Sequence, residues 1–367
     1  MPCVVTIGSI GKKLCLTKVP SFTNQAINAI IVNTEKYDPD FVFYLMKYNL
    51  PQVKNLSSGT ASGRENVSKT SFGRIKVKLP KHLPTQKKIA SVLSAYDDLI
   101  ENNNQRIQLL EDMAQEIYKE WFVRFRFPNY QNTTFADKDG NPVPHGTKGA
   151  IPEGWKKQSL GNRYDISLGG TPSRENEQYW NGNIAWINSG KVNETRVFEP
   201  SEYISEIGLS KSATKLLPKK TTLLAITGAT LGQVSFLEIE SCTNQSIVGI
   251  KDVYSKEDEF IFLTMKNKIK ELMNYAGGGA QQHINKAIVE DYEILIPNDS
   301  VLKRFREMIK PKFDLLANLL FQNQVLQDTR DLLLPRLISG KLSVDNITLP
   351  ENELQIAAEA ESPTYTV

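Results

Sequence analysis

The sequence predicts an α+β protein: two β-rich domains, the first incomplete, joined by two long helices that form an antiparallel coiled-coil spacer. Three observations carry that expectation. An internal repeat runs through most of the chain, a heptad seam of apolar residues follows each repeat's globular part, and each globular part ends in a short alternating strand and a proline.

The repeat is read residue by residue. Ser21-Phe-Thr-Asn-Gln25 returns as Ser241-Cys-Thr-Asn-Gln245, an offset of 220. Asp40-Phe-Val-Phe43 returns as Glu259-Phe-Ile-Phe262 at 219. Val67-Ser-Lys69 and Ile75–Pro80 return as Ile284-Asn-Lys286 and Tyr292–Pro297 at 217, and Leu110-Glu-Asp112 as Leu326-Gln-Asp328 at 216. Order is kept while the offset drifts smoothly, as small loop deletions would produce. Residues 75–79 and 292–296 alternate like strands half buried on one face. Gly8-Ser-Ile-Gly11-Lys12 aligns with Ala229-Thr-Leu-Gly232-Gln233, already past the middle of the second unit. The first domain is therefore expected to lack the equivalent of residues 155–223.

After Pro84 the seam Ile89, Leu93, Tyr96, Ile100, Asn103, Ile107, Leu110, Ala114, Ile117, Trp121 steps 4,3,4,3 without a break. A helix from Thr85 to about Arg126 would span roughly 60 Å. The second seam, Phe305, Ile309, Leu316, Leu319, Asn323, Leu326, Leu333 and Leu337, is interrupted by Pro311, which should kink or split the helix. Neither amphipathic helix can hide its seam alone, and the simplest partner for each is the other. The expected boundaries are a partial first domain 1–84, a long helix 85–127, a linker 128–150, a second domain 151–297, a helix 298–343 and a disordered acidic tail 344–367.

Net charge is +3, and its distribution is uneven. Residues 1–84 hold twelve lysines and arginines against four acids, while every later block is mildly acidic. Within 64–88 stand Arg64, Lys69, Arg74, Lys76, Lys78, Lys81, Lys87 and Lys88 with Glu65 the sole acid. Such a cluster reads either as a solvated face or as a phosphate footprint. Cys3, Cys15 and Cys242 share no metal or disulfide spacing and read as buried thiols in a reducing cytoplasm. No apolar run approaches the length of a membrane span, so no membrane partner is expected.

The residues at the helices carry a resemblance. Leu83–Ala90, with Asp97-Asp-Leu-Ile100 and Leu109-Leu-Glu-Asp112, resembles the central conserved region of type I restriction–modification DNA-specificity subunits. Leu326–Gly340 is similar to their C-terminal conserved region. Trp155, Leu160-Gly161, Gly169-Gly-Thr-Pro-Ser-Arg174, Tyr179-Trp180 and Ile184–Ile187 resemble the opening of a target recognition domain. The resemblance implies two such domains on paired helices, each contacting half of a bipartite double-stranded DNA site. It further implies two methyltransferase subunits on the helical regions, with restriction–translocase subunits joining for cleavage. Helix-packing and partner-binding positions are then Ile89, Leu93, Ile100, Ile107, Leu110, Ile117, Leu316, Leu326 and Leu333.

No catalytic motif is visible. Gly8–Lys12 lacks the spacing of a phosphate loop, no Asn/Asp-Pro-Pro-aromatic tetrapeptide for adenine methylation occurs, and no cofactor is expected. The candidate DNA contacts are Thr171, Ser173 and Arg174 after a glycine pair, Lys191, and Gln281, Gln282 and His283 after a glycine run. In the first unit they are Arg64, Asn66, Lys69 and Arg74. Glutamine suits adenine edges. Each of these loops is equally readable as a plain strand connection. Trp121–Phe127, alternating aromatic and basic, reads as helix-end packing rather than base stacking. The alternative to a DNA reader is a structural assembly subunit that holds the methyltransferase without full DNA specificity.

Overall fold

A computed structural model of the chain describes residues 1–59, 65–277 and 282–348. Its opening part holds β1 (Pro2–Val5), β2 (Leu14–Leu16), β3 (Ile27–Ala29), α1 (Pro39–Asn55), β4 (Ser58–Gly59), β5 (Glu65–Asn66), α2 (Lys69–Gly73) and α3 (Leu83–Tyr118). Next come β6 (Phe135–Ala136), β7 (Pro142–Val143), β8 (Ile151–Pro152), β9 (Lys156–Ser159), α4 (Leu160–Arg163), β10 (Asp165–Leu168), β11 (Trp180–Ile187), β12 (Arg196–Val197) and β13 (Glu202–Ile204). The order closes with α5 (Glu206–Ser210), β14 (Thr222–Ala225), β15 (Val234–Leu237), β16 (Cys242–Thr243), β17 (Ile247–Lys251), α6 (Asp258–Leu272), α7 (Lys286–Asp291), β18 (Glu293–Ile296) and α8 (Asp299–Ile338). Two compact units result, Met1–Gln105 with Gln322–Val367, and Arg106–Phe321. Among the described residues no helix is long and apolar enough to cross a membrane.

In the first unit the sheet order is β2-β1-β3, with Val4 opposite both Leu14 and Asn28. Asp38 starts α1 by accepting a hydrogen bond from the Phe41 amide at 2.8 Å, and Pro39 supplies the preset φ of a first turn. The helix buries Phe41, Tyr44 and Leu45 against Ile89 and Leu93 of α3 and Leu334, Leu337 and Ile338 of α8. Here α3 and α8 run antiparallel: Arg330 pairs with Asp97, and Asn103 lies against Asn323. The polar interruption of the seam is thereby satisfied. Asn103 Nδ2 donates to Asn323 Oδ1 at 3.0 Å, and Asn323 Nδ2 donates to Asn104 Oδ1 at 2.9 Å. Asn103→Leu should cost about 1–3 kcal/mol in urea unfolding followed by circular dichroism, because the Asn323 carbonyl is left buried without its donor. The double Asn103→Leu, Asn323→Leu chain should recover that loss, as apolar pairs replace the amides. A single mutant as stable as the parent would show that this pair is not sealed from water.

The second unit has a five-stranded sheet, order β10-β17-β14-β15-β12, a three-stranded sheet, order β13-β11-β16, and the pair β18-β9. Leu224 lies opposite Val234 and Val248, the register of Val4 in the first unit. The repeat seen in sequence is thus a repeat of strand pairing, and α6 and α7 repeat α1 and α2. Ser68 caps α2 by accepting from the Ser71 amide at 3.0 Å, and Asn285 caps α7 by accepting from that of Ile288 at 2.9 Å. Trp121, Phe122, Phe125 and Phe127 pack at the end of α3 against Trp155, Phe260 and Phe305, so this aromatic run is core.

The heptad positions divide by burial. Ile89, Leu93, Ile100 and Leu316 are buried, whereas Ile107, Leu110, Ile117, Leu326 and Leu333 are half-buried. Several expectations need correction. Pro311 does not split α8, which is helical throughout Asp299–Ile338. The ring and Glu307, whose carbonyl loses its donor, are both exposed, so the missing bond costs less than it would in the core. At its other end α3 gives way to a π-helical turn, Lys119–Val123. Residues 75–79 form no strand, although burial still alternates along them. Their counterpart β18 is a strand because β9 pairs with it, and no described residue offers that pairing to 75–79. The expected linker holds a small sheet, order β7-β6-β8, anchored by the buried Phe135. Cys15, expected buried, is exposed on the edge strand β2, while Cys3 and Cys242 are buried.

Candidate nucleic-acid interface

In the second unit the glycine pair of the Gly-Gly-Thr-Pro loop is explained by contact. A Cβ on Gly169 would stand 2.2 Å from the Asn244 carbonyl oxygen, and one on Gly170 2.6 Å from the Thr214 nitrogen. With both side chains absent, the Gly170 amide donates to the Thr243 carbonyl at 2.8 Å, and Trp186 Nε1 donates to the Gly170 carbonyl at 3.1 Å. The loop is pinned at its base, and its tip is presented to solvent.

Two fixed polar groups stand on that tip. Thr171 Oγ1 donates to Gln245 Oε1 at 2.5 Å. Arg174 Nη1 and Nη2 donate to the two oxygens of Glu202 at 2.6 and 2.8 Å, and its guanidinium lies 3.6 Å from the Trp180 ring centroid. This bond holds the Glu202 carboxyl below the usual carboxylate range. The pairing occupies the far edge of the guanidinium; its Nε–H side, a second two-donor fork, makes no hydrogen bond to a described residue, and the side chain is 53% exposed. Ser173 is exposed beside them, its carbonyl accepting from Trp180 Nε1 at 3.0 Å.

The remaining sequence candidates separate. Gln282 and His283 are exposed on a hairpin-like return where His283 bridges Thr227 and Gly277. Gln281 and Arg64 lie outside the described residues. Lys191 is paired with Glu194 at 2.9 Å, which takes it out of the set of free cations. In the first unit Asn66 sits in β5 opposite Ser58, Lys69 opens α2 and Arg74 closes it. Lys69 and Arg74 are exposed, as are Lys12, Lys13, Lys18, Lys54, Lys76, Lys78 and Lys81, and none of these forms an ion pair with a described residue. Among the described residues no cluster of His, Cys, Asp and Glu could hold a metal.

Sequence reasoning did not select Gln245, Trp180 or Glu202 as site residues. For Gln245 a signal existed. The repeated Ser-x-Thr-Asn-Gln places Asn24 and Asn244 in the same turn, each accepting from the amide two residues on, at 3.0 and 3.1 Å. Glu202 had none, being 28 residues from its arginine with no motif around it.

A family model for the type I restriction modification DNA specificity domain matches residues 3–112 and 152–318, more than half of the chain. The chain belongs to the type I restriction–modification DNA-specificity family. This specificity subunit is 26% identical over 339 residues to the MjaIX specificity subunit of Methanocaldococcus jannaschii, covering 91% of this chain and 76% of that one. It is 25% identical over 360 residues to the HindI specificity subunit of Haemophilus influenzae, with 83% and 77% covered. A solved S subunit from M. genitalium shares the fold, with a TM-score of 0.55 at 16% identity, covering 92% of this chain and 82% of that one. As a member of that family, the specificity subunit serves DNA-sequence recognition.

Proposed function

We propose that this specificity subunit is a non-catalytic reader that directs methyltransferase and restriction–translocase subunits to a bipartite DNA site. The second unit reads bases through the loop 169–174 together with Gln245, and through Gln282 and His283. The first unit supplies a basic face for phosphates, and α3 and α8 hold two methyltransferase subunits. The observation that supports base reading most directly is Arg174, clamped by Glu202 and stacked on Trp180 with one donor fork left over. Such a fork matches the O6 and N7 acceptors of guanine, and holding it in place removes the entropy cost of ordering a free arginine.

The two roles separate by salt. Phosphate contacts release counterions and ignore sequence, whereas base contacts discriminate. Lys69→Ala with Arg74→Ala should weaken binding to every duplex and flatten the dependence of affinity on salt by roughly one unit of slope per lost phosphate contact. Gln282→Ala should lower affinity for the methylated motif and leave scrambled DNA nearly unaffected. The measurement titrates the methyltransferase complex with motif-bearing and scrambled duplexes at several salt concentrations. A lysine–arginine variant with an unchanged salt slope would remove the phosphate role from this face.

A further inference from the structure

Gln245 stands at the apex of the turn that joins β16 to β17, and both stems of that turn are buried at Thr243 and Ile247. Asn244 closes the turn by accepting from the Ser246 amide at 3.1 Å. The Gly-Gly-Thr-Pro loop is stitched to it on both sides. The Gly170 amide donates to the Thr243 carbonyl at 2.8 Å, and the Gly169 amide donates to the Ile247 carbonyl at 3.1 Å. Thr214 Oγ1 adds a second hydrogen bond to the Thr243 carbonyl at 2.9 Å, and the Asn244 amide donates to the Ile187 carbonyl at 3.0 Å. A base tied down in this way lets the apex side chain be held in one position.

Gln245 itself is exposed, and one hydrogen bond orients its side chain. Thr171 Oγ1 donates to Oε1 at 2.5 Å, which fixes the oxygen end of an amide that could otherwise turn either way. Oε1 keeps a second lone pair, and neither hydrogen on Nε2 bonds to a described residue. An acceptor and a donor are therefore left side by side. In the major groove only adenine presents the complement, an N7 acceptor beside an N6 amino donor. Guanine offers two acceptors there, cytosine an amino donor, and thymine a carbonyl with a methyl group. Each of these leaves part of the amide unpaired, and an unpaired polar group in a closed contact is costly.

We propose that Gln245 reads one adenine of the half-site contacted by the second unit, with Thr171 as the positioning residue that fixes its amide. The proposal rests on base reading by the second unit and adds to it the base and the atoms that meet. The guanine assigned to Arg174 is a separate base, since two acceptors complement a fork of donors and not an amide. Substitution of Gln245 removes no buried contact, because the turn is held by its backbone and by Asn244.

The test reads the methylated motif of a genome carrying the chain with its methyltransferase subunits. Gln245→Ala should lower the preference for adenine at one position about tenfold or more and leave the other positions in place. Gln245→Glu should move that position toward cytosine, because a carboxylate only accepts and cytosine presents an amino donor. A misfolded chain loses the whole motif and cannot exchange one base for another. Thr171→Val should weaken the adenine preference by less than Gln245→Ala does, and Thr171→Ser should restore it. Titration with a duplex carrying 7-deazaadenine at that position, which lacks N7, should cost the parent complex several-fold in affinity and the Gln245→Ala complex nothing. An equal loss in both, no adenine position relaxed by Gln245→Ala, or no move toward cytosine in Gln245→Glu would overturn the proposal. If Arg174→Ala still relaxes a guanine in that case, only the adenine contact falls. If it does not, base reading by this unit falls with it.

Discussion

Glu238→Ala is expected to destabilise the second unit by about 3–5 kcal/mol, because it leaves the Arg196 guanidinium charged and buried without its hydrogen-bonded carboxylate. The Arg196 side chain is 2% exposed and pairs with Glu238, 9% exposed, while lying 4.3 Å from the Phe313 ring centroid and 5.2 Å from that of Phe236. Burial pushes the Glu238 carboxyl up and the Arg196 guanidinium down, even though each faces an opposite charge. Desolvation therefore outweighs attraction for both partners, and the intact pair adds little net stability. Breaking it is another matter, since the buried guanidinium then loses its hydrogen-bonded partner and keeps only the weaker pull of Glu111 and Glu259. Arg196→Met with Glu238→Leu should restore most of the loss. All four tryptophans, Trp121, Trp155, Trp180 and Trp186, lie in the second unit, so urea unfolding read by tryptophan fluorescence reports on it. A Glu238→Ala chain within about 1 kcal/mol of the parent would mean that water reaches the pair.

What the sequence made legible follows the range of the forces involved. The heptad seam is local and periodic, so Ile89, Leu93, Asn103 and Leu316 could be placed without coordinates, and the Asn103–Asn323 contact answers the one polar break in it. The internal repeat showed that strands and caps recur, and Val4 and Leu224 do share a register. It could not show that 75–79 would stay unpaired, because a strand exists only where a neighbour accepts its hydrogen bonds. Pro311 misled for a related reason. Its cost depends on whether the orphaned carbonyl faces water or core, and that is a property of the packed helix. Arg196 with Glu238, and Arg174 with Glu202, join residues 42 and 28 apart on different segments of the fold. No spacing rule marks such pairs, so the candidate loop was legible in outline while the groups that orient its arginine were not.

Arg174→Ala is expected to erase preference for a single guanine in one half-site, a loss of about 1–3 kcal/mol, roughly ten- to a hundredfold in discrimination. The rest of the motif should persist, because the loop's base is pinned by Gly169 and Gly170 against β16 and not by Arg174. Arg174→Lys should fare little better, since an ammonium cannot offer two parallel donors or lie flat on Trp180. Glu202→Gln keeps one acceptor and frees the guanidinium to swing, so discrimination should fall by less than in Arg174→Ala. Non-specific affinity should stay the same or rise, because removing a carboxylate leaves the loop less repulsive toward phosphates. The measurement is the methylated motif of a genome carrying the chain with its methyltransferase subunits, read for the parent and each variant. A motif that relaxes at one guanine supports base reading by this arginine. A motif identical in all variants would reduce the Arg174–Glu202 clamp to a surface ion pair, and a motif lost entirely would mean that the clamp supports the loop's fold.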